Sequence, residues 1–210
     1  ITHVVSEYGI SGFTCRDNMF GLDRRHAGAV CDEIVRRKLE VVWECWTGGN
    51  LVDRDLAKKM RAAGCVRVGF GAESGDDEVL DRSNRGFTAA QHQAGINALR
   101  SAGLKTEAFF MFGLPGESVG SVRRTVEFAK ECGADGVVLG VFRPYPGTAV
   151  WRTPEAFGVR ITRGPNFEAY VETEALARSA ILECAQRASE ELSRSGLGGE
   201  LLRCDRYAWE

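Results

Sequence analysis

LVDRDLAKKMRAAGCVRVGFGAES, Leu51–Ser74, is the stretch that decides the fold. Val52, Leu56, Met60 and Ala63 recur at helical spacing, Gly64 stops the helix, and the apolar run Val66–Phe70 reads as a short strand. A glycine just past a helix end supplies the left-handed backbone that turns the chain back. The same order recurs downstream. Thr88 with Gln91 makes a capping-box signature, a helix runs to Gly103, and Leu104–Phe112 is the next strand. Val122, Val126 and Ala129 then lead to Gly133 and the strand Val137–Val141. Upstream, Ile10–Cys15 reads as a strand, Ala27, Val30, Ile34 and Val35 mark a helix face, and Glu40–Cys45 is another strand.

These strands are apolar nearly throughout, as expected when both faces of a parallel sheet are covered. Five βα repeats imply an α/β fold. They fall short of the eight strands of a closed barrel, so a partial (β/α)6-type barrel over residues 1–151 is the expected architecture. After Trp151 the pattern stops. Thr153–Pro165 is a loop punctuated by glycine and proline, and Phe167–Arg194 reads as one long helix. Gly196–Glu210 gives no clear element, so residues 152–210 are expected to form a helical C-terminal extension.

Composition narrows the classes. With 44% hydrophobic and 27% charged residues, 210 residues can bury one ordinary core. The net charge of -2 and the lack of a basic block argue against nucleic acid or an anionic membrane as partner. No apolar run approaches the roughly 20 residues that span a bilayer, and no export signal is visible. Ile1–Gly9 reads like the last turns of a helix already under way, so the N-terminus of the protein is expected upstream. The seven cysteines, at 15, 31, 45, 65, 132, 184 and 204, include no CxxC or CxxxC pair. An odd count without an export signal suits reduced, mostly buried thiols and a cytoplasmic setting. His3, His26 and His92 fall on helices away from strand ends and read as surface residues.

In parallel βα proteins the site forms at the C-terminal strand ends. Those ends read Cys15–Asn18, Glu44–Trp46, Gly71–Ser74, Gly113–Glu117 and Arg143–Thr148. Glu44 and Glu73 terminate apolar strands, where a carboxylate is costly unless it is paired or meets a cationic ligand. An ion pair with a nearby arginine and contact with a ligand are both open readings. Trp43 and Trp46 fit either a substrate cavity or plain packing.

Taken in order, these ends resemble the radical S-adenosylmethionine (SAM) superfamily. GFGAES at Gly69–Ser74, with Val79 and Leu80 on the next helix, is similar to its GxES element. MFGLPGES at Met111–Ser118 and FRPYPGT at Phe142–Thr148 resemble its fifth-strand glycine motif and sixth-strand end. FTCRDNMFGLDRR at Phe13–Arg25 resembles the second-strand variant of members with a cobalamin-binding domain, and WECW matches the third strand. The family's CxxxCxxC loop, whose thiolates hold a [4Fe–4S] cluster, is not in this sequence; truncation upstream explains that better than loss of the cluster.

The resemblance implies reductive cleavage of SAM at the cluster, giving a 5′-deoxyadenosyl radical that takes a hydrogen from a small-molecule substrate. Cobalamin-dependent methyl transfer or cyclisation is the implied outcome, with a flavodoxin or ferredoxin as electron donor. Carried over residue by residue, Glu44 faces the methionine end of SAM, and Glu73 with Ser74 takes the ribose or methionine portion. Gly113, Leu114 and Pro115 let backbone approach adenine, and Tyr145 and Pro146 flank the same edge. Asp17 falls where the second strand meets the SAM amino group. The more common sequence has two acids there, and here the first is Arg16, which could instead pair with Glu44. No metal ligand and no catalytic side chain is assigned within the chain, and alone it is expected to be inactive. Two rival readings remain: a non-catalytic SAM-binding scaffold, and a metabolic βα-barrel with a phosphate site.

Overall fold

The computed structural model describes residues 1–163 and 169–202. Six strands, β1 (Gly12–Thr14), β2 (Val42–Thr47), β3 (Cys65–Glu73), β4 (Lys105–Phe112), β5 (Gly136–Val141) and β8 (Gly198–Leu201), form one parallel sheet in the order β1-β2-β3-β4-β5-β8. A second sheet pairs β6 (Val159–Arg163) antiparallel with β7 (Ala169–Thr173). Among the described residues β1 and β8 are the two ends of the main sheet. The helices are α1 (Thr2–Tyr8), α2 (Arg24–Arg36), α3 (Arg54–Ala62), α4 (Asp77–Arg82), α5 (Ala89–Ser101), α6 (Val119–Glu131), α7 (Ala149–Arg152) and α8 (Arg178–Arg194).

The chain divides into two compact units. The first, residues 1–71 and 90–108, carries a core of Ile34, Trp43, Leu56, Met60, Val68 and Leu99. Its helices start where the sequence supplies acceptors. Asp23 accepts from the His26 amide at 2.9 Å, and Asp53 accepts from Leu56 at 3.0 Å, each satisfying an orphan N–H of the first turn. Arg24 pairs with Asp53 and holds that carboxyl below its usual range. At the end of α3, Gly64 has φ 88°, and a Cβ there would stand 1.9 Å from the Val41 carbonyl oxygen. Only glycine fits this turn from helix to strand. A 3₁₀ turn at Gly49–Leu51 meets α5 glycine to glycine: a Cβ on Gly95 would lie 2.0 Å from the Gly49 carbonyl oxygen.

His92 departs from expectation. It is fully buried and stacks on Phe70, with ring centroids 6.0 Å apart, whereas His3 and His26 are exposed. The close glycine contact draws α5 inward here and buries the face that carries His92.

The second unit, residues 72–89 and 109–210, packs α6 and α8 together and α8 on β5 and β8. Ile181, Ala185, Ala188 and Leu192 form the buried stripe of α8. The C-terminal region is not purely helical. The expected helix Phe167–Arg194 begins only at Arg178, and Tyr170 and Val171 lie on β7; Phe167 falls outside the described residues. Ala169, Val171 and Thr173 are buried alternately, a strand period that a helical reading of the longer run absorbs. After α8 the chain returns to the sheet: β8 pairs parallel with β5, Val138 opposite Glu200 and Leu139 opposite Leu201. This strand lies within Gly196–Glu210, where the sequence signalled no element.

Candidate functional site

Within the first unit, Glu44 accepts from Thr14 Oγ1 at 3.1 Å and faces Arg67 Nε at 3.6 Å. Arg16, left open by the sequence as an alternative partner, does not pair with it. Parallel pairing sets Glu44 beside Arg67, while Arg16 lies beyond the last paired residue of β1 and is exposed. Such a half-exposed pair contributes about 0–1 kcal/mol, so it leaves Glu44 available to a stronger cation. Asp17 is exposed in the loop after β1. Trp43 is packing: its ring meets Phe20 edge-on and its Nε1 donates to the Ala63 carbonyl at 2.8 Å. Trp46 covers Gly69, where a Cβ would lie 2.1 Å from the indole.

The second unit holds the more telling constellation. Glu73 ends β3 with φ 64°, a left-handed backbone uncommon outside glycine, and it is 7% exposed. Its Oε1 pairs with Arg85, in the segment after α4. Burial lowers the Arg85 pKa from its ordinary value. Even so, three buried polar atoms of this corner have no hydrogen-bond partner: Glu73 Oε2, Arg85 Nε and Ser83 Oγ. Each such orphan costs ~1–3 kcal/mol unless something meets it.

Ser83 and Arg85 line a cavity of about 180 Å³ together with Met111, Leu114, Pro115 and Tyr145. Leu114 is buried at its floor, and Tyr145, 70% exposed, stands at its rim. Three of the expected cofactor residues, Leu114, Pro115 and Tyr145, are therefore brought together, and Glu73 reaches the same cavity through Arg85. Pro146 is exposed beside Tyr145 and is not part of the lining.

Two neighbours serve the scaffold. Ser74 is fully buried; its hydroxyl lies 3.0 Å from Thr125 Oγ1 and accepts from the Asp76 amide at 3.1 Å. Asp76 in turn caps α4 and pairs with Arg124 of α6, so the end of the GAES run is pinned to that helix. Gly113, with φ 86°, donates its amide to the Glu117 carboxylate, and a Cβ there would stand 3.3 Å from Ile181. Glu117 is 1% exposed, and burial pushes its carboxyl up to about 8. It carries its proton at neutral pH and braces the GLPG turn from within. Arg85, Ser83 and Glu117 were not among the residues that sequence reasoning selected. The first two follow a helix rather than a strand, so no strand-end signal marks them.

An apolar slot walled at one end by Ser83 and Arg85, with the Glu73 carboxylate behind Arg85, suits a flat heterocycle bearing hydroxyls. At about 180 Å³ it is smaller than the roughly 300–1,000 Å³ of a site for a whole small molecule, and so takes one portion of a larger ligand. Among the described residues no three His, Cys, Asp or Glu side chains converge to hold a metal ion. Among them, too, no helix is long and apolar enough to cross a membrane.

A parallel sheet with a small cavity at its strand ends is an α/β fold, and comparison gives the family. Residues 21–129 match the radical SAM superfamily, and the chain belongs to it. An uncharacterized methyltransferase of Pyrococcus horikoshii is 30% identical over 156 residues, 74% of this chain and 34% of that protein. An anaerobic magnesium-protoporphyrin IX monomethyl ester cyclase of Cereibacter sphaeroides is 30% identical over 156 residues, 72% of this chain and 26% of the cyclase. The chain thus spans about a third or less of the length of these relatives. Among solved structures, the radical SAM methyltransferase TsrM of Kitasatospora setae, with cobalamin and a [4Fe–4S] cluster bound, superposes with a TM-score of 0.68 at 22% identity. That match covers 78% of this chain and 35% of TsrM, and it establishes the shared fold.

Proposed function

We propose that the chain is the SAM-binding part of a radical SAM enzyme that carries out cobalamin-dependent methyl transfer or cyclisation on a small molecule. The observation that carries this reading is the trio of unpartnered buried atoms, Glu73 Oε2, Arg85 Nε and Ser83 Oγ, beside an apolar slot in a chain of this family. These atoms offer an acceptor, a charged donor and a hydroxyl to the ribose end of an adenosyl group, and Leu114 and Pro115 offer apolar surface to the ring. Asp17 and Glu44 are proposed for the ammonium end, and Tyr145 and Pro146 for the outer edge of the slot. Ser74 and Gly113 belong to the same site as supports. SAM held by these residues, with a [4Fe–4S] cluster bound elsewhere in the whole protein, would supply the chemistry that removes a substrate hydrogen. The chain's own residues orient the adenosyl group, shield it from water and fix its ring.

The described residues supply no group of three His, Cys, Asp or Glu side chains for a cluster, so no step is assigned to them through it. On this reading the chain alone is inactive, and a flavodoxin or ferredoxin in the cytoplasm reduces the complete enzyme.

Ligand-observed NMR with S-adenosylhomocysteine, which needs no cluster, tests the proposal on this chain. Binding is expected, with a loss of at least about tenfold in Leu114→Trp, which fills the slot, and in Arg85→Met, which removes a charged donor. Absence of binding to the wild-type chain, or equal binding by all three proteins, would overturn it.

A further inference from the structure

Beside the slot lies a second cavity, of about 440 Å³, within the second unit. Phe142 and Arg143 line both. Ile181, on the wall of the larger cavity, also lies 3.3 Å from where a Cβ of Gly113 would stand, so the two spaces share the GLPG turn as well. The larger cavity falls in the size range of a small-molecule site.

Its chemistry is uneven. Val171, Ile181, Leu182 and Leu201 give it an apolar body, and Leu182 is 44% exposed at the rim. Two guanidiniums stand at its edge. Arg143 is half-buried and makes no hydrogen bond or ion pair among the described residues, while Arg85, Arg124, Arg160 and Arg187 of the same unit are all paired. Arg178 is held over the Tyr170 ring, its Cζ 3.3 Å from the centroid, which orients its fork without spending its donors on a carboxylate. It also opens the 17-residue helix α8, whose N-cap, Ala177, has no side-chain acceptor. The Arg178 amide at this helix start donates to the Glu172 carboxylate at 3.4 Å, so the two guanidiniums, and not the helix end, supply the cavity's positive charge. The single carboxylate on the wall, Glu183, lies 3.7 Å from Arg187.

We infer that this cavity binds the substrate, and that the substrate is a largely apolar small molecule bearing a carboxylate, held by Arg143 and Arg178. The inference rests on the reading of the neighbouring slot as the adenosyl site, because the shared wall is what sets the two ligands side by side. A planar carboxylate matches the fork of a guanidinium, and a half-buried guanidinium without a partner is costly until an anion arrives. The apolar walls select against a small, fully hydrated anion such as inorganic phosphate.

The test compares indole-3-propionate and 4-phenylbutyrate with their primary amides, by ligand-observed NMR titration of the chain at low salt. Each acid is expected to bind at least about tenfold tighter than its amide. In Arg143→Ala and in Arg178→Ala that preference should shrink severalfold, and in the double variant it should fall to within about twofold. Amide binding should persist in every variant, which shows that the cavity is still formed. No preference for the acids, an unchanged preference in the double variant, or tighter binding of inorganic phosphate would overturn the inference. S-Adenosylhomocysteine titrated in parallel separates the two claims. If it binds while the acids show no preference, the substrate assignment alone fails; if it does not bind, the adenosyl reading fails first.

Discussion

Glu117→Gln should remove a pH dependence that the wild-type fold carries. Glu117 is 1% exposed, its carboxylate accepts the Gly113 amide, and its Oε1 is a buried atom with no partner. Burial raises the carboxyl from an ordinary 4.5 to about 8. The native state therefore keeps a proton that the unfolded chain releases near pH 4.5, and stability is lost as pH rises from there through about 8. The ceiling on that loss is ~5 kcal/mol, and water reaching the ionised group reduces it to about 2–4 kcal/mol. Urea unfolding at pH 5.5, 7 and 8.5 measures it. The wild-type midpoint should fall steadily over this range, while Glu117→Gln, which keeps an acceptor for Gly113 and cannot ionise, should start about 1 kcal/mol lower and stay nearly level. Parallel decline of the two proteins would refute the assignment of the buried proton to Glu117.

Three further outcomes follow from the packing. Arg85→Met strands the buried Glu73 carboxylate and should cost about 3 kcal/mol in urea unfolding, while Glu73→Leu with Arg85→Met together should recover part of that loss. Gly95→Ala drives a methyl into the Gly49 carbonyl and should cost about 3 kcal/mol, whereas Gly12→Ala, with nothing within 4 Å, should leave the melting temperature nearly unchanged. In a Cys204→Ser background, native protein at pH 8 should expose at most Cys15 and Cys184 to a disulfide reagent. Cys31, raised by burial to about 12, and Cys45, Cys65 and Cys132 should react only after unfolding.

The repeats from α3 to β5 were legible because each strand is an apolar run preceded by a helix and a glycine, Gly64, Gly103 and Gly133. Leu56 and Met60 mark their helix face by period alone, and Gly64 marks its end. β8 was not legible, because GGEL has no apolar run and is a strand only through its pairing with β5. β7 was misread since five alternating residues next to a helix merge into its pattern. At the site, Leu114, Pro115 and Tyr145 were visible as a motif and do share a cavity. Ser74 stood in the same motif, yet its hydroxyl is bonded within the scaffold. Arg85 could not be read as a ligand, because its importance lies in the buried Glu73 it meets across the fold.

The order in which the strands are made bears on how this protein is produced. β5 is hydrogen-bonded on its outer side by a segment synthesised some 57 residues later, after the antiparallel pair and the whole of α8. At roughly 5–20 residues per second, that edge waits for several seconds on a translating ribosome before its cover exists. An apolar strand with unpaired backbone groups templates pairing with other chains. Chains cut short before Gly198 should therefore collect in inclusion bodies even where every residue that lines the Leu114–Tyr145 cavity is intact.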